Sequence, residues 1–170
     1  MHKVVDNILT KDQIASLLTF EPKEIKDRTL HRVVTNHAGN LAPRRYTNEQ
    51  WKYVFTRYDQ NEFVDIAESI NIAFPDFDIV SLRTIYYSKG SSMGIHTDIW
   101  DEQEGFSDHG LIIMLSDSNE FTGGNLIMSK ELMTLNMGSG VLYSYVGEPH
   151  AVTPVKEGTR WIASVRLLCK

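Results

Sequence analysis

The spacing of apolar residues changes character at about residue 78. Before that point it is helical: Ile14, Leu17 and Leu18 fall on one side of a short segment, and Phe63, Ile66, Ala67, Ile70 and Phe74 recur at helical intervals. Thr10 with Gln13 three residues later is a capping-box start for a first helix running through about Leu18. A second helix is predicted over Asn61 to Ala73. Phe74-Pro75-Asp76 closes it, because proline disfavours the helical conformation in the residue before it. A further helix is predicted from about Asn48 to Tyr58, and Val4 to Leu9 reads as an opening strand. Residues 21 to 46 mix charges with Pro22, Gly39 and Pro43 around an extended piece, His31 to Val34, and read as a surface segment.

From Asp78 onward, short runs of Val, Ile, Leu and Tyr alternate with clusters of Gly, Ser, Asp and Asn. They predict strands at Ile79 to Tyr87, Met93 to Ile99, Leu111 to Leu115, Asn125 to Met128, Gly140 to Val146, His150 to Pro154 and Arg160 to Leu168. Helices followed by seven or more short strands describe an α+β protein whose strands form a sandwich or barrel.

Composition narrows the function classes. The 170 residues are 42% hydrophobic and 23% charged, the range of a single globular domain with one core. A net charge of -5 argues against binding nucleic acid mainly by phosphate neutralisation. The one cysteine, Cys169, has no intrachain partner, so no disulfide framework is expected and a reducing, cytoplasmic-type compartment fits. The opening residues lack the apolar run of a signal peptide, and no stretch of about 18 apolar residues could span a bilayer. The chain is read as soluble and unprocessed.

The candidate chemistry starts at His96-Thr97-Asp98. Side chains alternate faces on a strand, so positions 96 and 98 would project together while Thr97 points away. Alone, this is also what a surface His-Asp pair looks like. His150 opens a later predicted strand and completes a two-histidine, one-carboxylate set, which holds one face of an octahedral iron(II) and leaves three positions open. Arg160 follows ten residues later. Pro154 to Gly158 reads as a turn, so the His150 and Arg160 strands could run side by side and the guanidinium could take a carboxylate bidentately. A metal with open positions beside a fixed cation suits a short dicarboxylate that chelates the metal at one end, and 2-oxoglutarate has that shape.

These residues resemble a known group. Tyr87-Ser88-Lys89-Gly90, His96-Thr97-Asp98, Leu115-Ser116-Asp117 with Gly123-Gly124-Asn125-Leu126, and His150 to Val155 with Gly158-Thr159-Arg160 are similar, in order, to the prolyl 4-hydroxylase-like branch of the iron(II)/2-oxoglutarate-dependent dioxygenases. The opening Val5 to Thr10 is similar to that branch's first strand and helix, while about residues 21 to 60 have no counterpart. The resemblance implies a double-stranded β-helix (jelly-roll) core over 78-170, with 1-77 as a helical N-terminal support able to supply a lid. It implies that His96, Asp98 and His150 bind iron(II), that Arg160 takes the distal carboxylate of 2-oxoglutarate, and that the Tyr87 hydroxyl also reaches the cosubstrate. The implied reaction uses O2, with ascorbate as reductant, and hydroxylates a prolyl residue in a peptide or protein. No separate general base is required.

Met93 departs from the pattern, standing where many members carry an aromatic three residues before the first histidine, which leaves the acceptor residue open. Hydroxylation of another amino-acid residue, a free amino acid or a small molecule would use the same ligands. A non-catalytic barrel would be expected to show a broken triad, and a cupin-like metal protein would not need Arg160. Intact Asp98 disfavours halogenation. Trp100 shares strand parity with His96 and Asp98 and is a candidate for substrate contact or for a hydrophobic plug. Leu126 reads as pocket lining or core, Tyr86 as facing away from Tyr87, and His31, His37, His109, Arg44 and Arg45 as solvated surface residues.

Overall fold

The computed structural model describes residues 2–19, 25–26, 33–35, 41–43, 53–58, 63–98, 107–145 and 147–170, with backbone alone for the pieces between 25 and 58. Strand β1 (His2–Val5) precedes helix α1 (Lys11–Thr19). Then come β2 (Ile25–Lys26), β3 (Val33–Thr35), β4 (Leu41–Pro43) and β5 (Tyr53–Tyr58). Helix α2 (Val64–Ala73) leads into the long β6 (Phe77–Tyr87) and then β7 (Met93–His96) and β8 (His109–Met114). Three short strands follow, β9 (Phe121–Gly123), β10 (Leu126–Met128) and β11 (Glu131–Met133). The chain ends with β12 (Gly140–Ser144), β13 (His150–Val152), β14 (Val155–Gly158) and β15 (Arg160–Cys169).

A seven-stranded sheet in the order β1-β12-β8-β15-β6-β5-β2 accompanies a four-stranded sheet in the order β11-β10-β13-β7, with two-stranded ladders β14-β9 and β3-β4. The ladders are antiparallel, and the longest joins β15 to β6 with Arg160 opposite Tyr87. Strand alternation gives the large sheet two apolar faces. Leu82, Leu111, Ile113, Ala163, Val165 and Leu167 point to one side and pack against Ile14 and Leu17 of α1 and Ile66, Ile70 and Phe74 at α2. Burying a side chain such as Ile66 or Ile70 completely stabilises the fold by about 1.5–3 kcal/mol. Ile85, Tyr87, Ile112, Met114, Val141, Tyr143 and Ile162 point the other way and pack against Leu126, Met128 and Val152 of the small sheet. The interior between the two sheets is therefore where inward residues of β6, β12, β13 and β15 meet.

The first helix begins at the predicted capping box: Thr10 N–H donates to Gln13 Oε1 at 2.9 Å, and Gln13 N–H donates to Thr10 Oγ1 at 3.3 Å. Three expectations give way. Residues 53–58, predicted as helix, form β5, with Tyr53 paired to Tyr87 and Tyr58 to Leu82. Tyr53, Val54, Phe55 and Thr56 are aromatic or β-branched, and the free edge of β6 decides their conformation. The first 77 residues thus supply β1, β5 and β2 to the large sheet as well as both helices. Residues 155–158, predicted as a turn, form β14 paired with β9, so the strands carrying His150 and Arg160 lie in different sheets and are not neighbours. His109, expected on a solvated loop, opens β8 half-buried, its ring edge-on to Phe77 at 4.9 Å. No helix among the described residues is long and apolar enough to cross a membrane.

Candidate metal and carboxylate site

His96 ends β7 and His150 begins β13, and the ladder sets the two directly opposite each other. Their imidazole centroids lie 4.2 Å apart. Asp98 stands two residues past the end of β7, so strand parity is not what aims it at the histidines; the chain has already left the ladder there. Its Oδ1 is 3.6 Å from His96 Nε2 and its Oδ2 is 3.9 Å from His150 Nε2. Two ligands bonded to one ion at about 2.1 Å can be at most about 4.2 Å apart, and both pairs satisfy that limit. One donor atom from each of the three side chains lies within 4.8 Å of the others.

Both imidazoles are oriented by the backbone. His96 Nδ1 lies 2.8 Å from the carbonyl of Gly94, and His150 Nδ1 lies 3.3 Å from the carbonyl of Glu148. A carbonyl oxygen can only accept, so each Nδ1 is the donor and each Nε2 is turned to the shared space. That orientation suits metal binding through Nε2. The turn before His150 is itself fixed. The buried Glu148 carboxylate accepts from His2 Nδ1 at 2.8 Å and from Ser129 Oγ at 2.7 Å.

Asp98 is held from its other side by a residue that the sequence did not single out. The Tyr143 hydroxyl donates to Asp98 Oδ2 at 2.6 Å. Burial, then the negative charge of Asp98, pushes the Tyr143 hydroxyl well above its usual pKa, so it stays a donor. Its ring lies 4.9 Å from the His150 ring and crosses Gly110 on the neighbouring strand, where any Cβ would overlap it. Tyr143 lies in the predicted Gly140 to Val146 strand, but nothing local marks it, because its partner Asp98 is 45 residues away.

Arg160 is fully buried, and among the described residues no carboxylate or carbonyl pairs with its three guanidinium nitrogens; the nearest polar group is the Tyr87 phenol. Its pKa is lowered by burial, with Tyr87 acting in the opposite sense. An arginine stays charged even so, and a buried guanidinium without an acceptor is costly unless something anionic meets it. Tyr87 sits across the ladder, its ring centroid 5.2 Å from the guanidinium carbon, and is itself buried. Gly124, at φ +60°, leaves room for the arginine stem: a Cβ there would fall 3.0 Å from Arg160 Cδ. Tyr86 faces away and packs on Trp161, with ring centroids 4.9 Å apart. Leu126 is a buried core residue in the same interior as Tyr87. Trp100, His31, His37, Arg44 and Arg45 lie outside the described residues.

Among solved structures the chain is similar to a viral collagen prolyl hydroxylase from Paramecium Bursaria Chlorella virus-1, at 14% identity over 98% of this chain and 94% of that one, TM-score 0.64. It is also similar to a Pseudomonas putida prolyl-4-hydroxylase, at 13% identity over 99% of this chain and 92% of that one, TM-score 0.61. The chain has the fold of the 2-oxoglutarate- and iron(II)-dependent oxygenases. A third structure with this oxygenase fold, the non-heme α-ketoglutarate dependent epimerase SnoN from nogalamycin biosynthesis, matches at 10% identity over 99% of this chain and 78% of that one, TM-score 0.62. Identities this low carry the fold and not the reaction, and the epimerase differs from the two prolyl hydroxylases in what it does. No family model and no curated protein matches the sequence.

Proposed function

We propose that this chain is an iron(II)- and 2-oxoglutarate-dependent hydroxylase acting on a prolyl residue of a peptide or protein. The supporting observation is the coexistence of two features: a His96, Asp98 and His150 cluster whose Nδ1 atoms are both turned to backbone carbonyls, and a fully buried guanidinium at Arg160 that meets no carboxylate among the described residues. A metal site alone would leave Arg160 unexplained, and a carboxylate site alone would leave the triad unexplained.

In this reading His96 Nε2, Asp98 and His150 Nε2 hold iron(II), leaving coordination positions open. Arg160 takes the distal carboxylate of 2-oxoglutarate, and the Tyr87 hydroxyl reaches the same end. With O2, the metal and cosubstrate supply an oxidising centre that hydroxylates a C–H bond while 2-oxoglutarate becomes succinate and carbon dioxide, with ascorbate as the supporting reductant. The protein's own part is to bind, orient and shield. Gly94 and Glu148 carbonyls fix the imidazoles, Tyr143 fixes the carboxylate, and the apolar walls of Ile85, Met128, Val152 and Ile162 exclude water and stray reductants. No side chain needs to act as a general base.

The two sheets form the halves of a jelly-roll core in one domain spanning the 170 residues, and a reducing, cytoplasmic-type compartment suits both iron(II) and the exposed, free Cys169. The prolyl acceptor follows the two prolyl hydroxylases among the similar structures. The test supplies protein with iron(II), 2-oxoglutarate and O2 and follows succinate with and without proline-containing peptides, with His96→Ala as control. Peptide-stimulated succinate with hydroxyproline in the peptide is the expected result. Stimulation by free amino acids or small molecules instead would replace the prolyl acceptor and keep the reaction class.

A further inference from the structure

Asp98 has two oxygens, and the structure treats them differently. Oδ1 faces His96 Nε2 at 3.6 Å and has that ring as its nearest histidine, whereas Oδ2, 3.9 Å from His150 Nε2, also accepts a 2.6 Å hydrogen bond from Tyr143. A carboxylate can meet a metal through one oxygen or through both, and the choice decides how many coordination positions remain for other ligands. Tyr143 is buried and has little freedom to leave. Its ring is bounded on one side by the His150 ring at 4.9 Å and on another by the backbone of Gly110, which has no space for a Cβ.

We infer that Tyr143 is a positioning residue that commits Asp98 Oδ2 to a hydrogen bond, so that the carboxylate meets the metal through Oδ1 alone and the positions needed by cosubstrate and oxygen stay open. The inference rests on the metal reading of the site given above. Gly110 belongs to the same device: it faces Tyr143 across the β12–β8 ladder, and any side chain there would push the phenol away from Asp98. The hydrogen bond therefore depends on two residues, neither of which belongs to the His96, Asp98 and His150 cluster.

The test loads the wild-type protein, Tyr143→Phe and Gly110→Ala with Co(II) or Mn(II) and measures metal affinity, 2-oxoglutarate affinity by calorimetry and the visible spectrum of the Co(II) form. Tyr145→Phe serves as control, since it removes the same hydroxyl from a buried ring 6.1 Å from Tyr143. Removing an outer hydrogen bond to a ligand typically weakens metal binding roughly 10-fold. Tyr143→Phe is expected to lose metal affinity by about that factor, to bind 2-oxoglutarate more weakly once loaded, and to shift the Co(II) spectrum, with Gly110→Ala moving in the same direction and Tyr145→Phe unchanged. A Co(II) spectrum and a 2-oxoglutarate affinity that do not change in folded Tyr143→Phe would overturn the role of Tyr143 alone. Absence of metal binding by the wild-type protein would overturn the metal reading, and this role with it.

Discussion

Arg160 and Tyr87 face each other across the β15–β6 ladder, with the guanidinium carbon 5.2 Å from the phenol ring centroid and both side chains buried. The pairing places a permanent cation inside the protein with an aromatic face beside it and, among the described residues, no carboxylate to meet it. A fold that keeps such a charge forgoes stability at that position, because an apolar residue of similar volume would be neutral or better there.

Replacing Arg160 should therefore separate stability from binding. Arg160→Met is expected to leave the melting temperature of the unliganded protein unchanged or to raise it, and to weaken 2-oxoglutarate binding roughly 100-fold, the loss of about 3 kcal/mol of charge-assisted hydrogen bonding. Thermal denaturation and calorimetry measure the two effects on one preparation. A variant that unfolds would mean that Arg160 is structural.

Gly124 tests the same corner without touching a charge. At φ +60°, an alanine costs about 1–2 kcal/mol in backbone strain, and its Cβ would lie 2.9 Å from Val155 Cγ2 and 3.0 Å from Arg160 Cδ. Gly124→Ala should lower the melting temperature and also weaken 2-oxoglutarate binding, because the arginine stem must move. A drop in stability with full affinity would show that the stem is not the part that yields.

Glu148 supports His150 through the turn that precedes it. Glu148→Ala removes the acceptor of His2 and Ser129, and the loosened turn should cost the protein about 10-fold in Mn(II) affinity while Mn(II) still binds. Equal Mn(II) affinity in titrations of variant and wild type would show that the Glu148 carbonyl alone orients His150.

Asp108 gives the pH dependence, away from the site. Burial opposes its charge, but hydrogen bonds from His109 and the Cys169 amide hold its pKa below the ordinary value. A carboxylate depressed in the folded state adds stability above its unfolded pKa, near about 3.9, and loses it as the pH falls through the folded value. Asp108→Asn should melt below the wild type at pH 7, and the difference should close as the pH falls below that range. A gap that persists in acid would mean that the contribution is packing.

The parts of this account that were legible in the sequence are those carried by local pattern. The capping box of α1, the core face of α2 and the strands at β6, β8, β12 and β15 follow from spacing alone. Segment 53–58 is a strand against its local pattern because its neighbour on β6 is remote in sequence, and pairing there overrides local preference. Pro154 and Gly158 look like the ends of a turn, although the residues between them find a partner in β9. Strand parity explains the proximity of His96 to Asp98 only in part, since the strand ends at His96. The Tyr143 to Asp98 bond joins residues 45 apart and depends on Gly110, so no local signal could announce it.

The central claim is that the triad and Arg160 together hold one chelating dicarboxylate. It is tested most directly by titrating 2-oxoglutarate into the protein anaerobically, with and without Mn(II), for wild type, His150→Ala and Arg160→Met. Tight binding that requires Mn(II) in the wild type and is lost in both variants is the expected result. Binding that ignores the metal, or no binding by metal-loaded wild type, would contradict it.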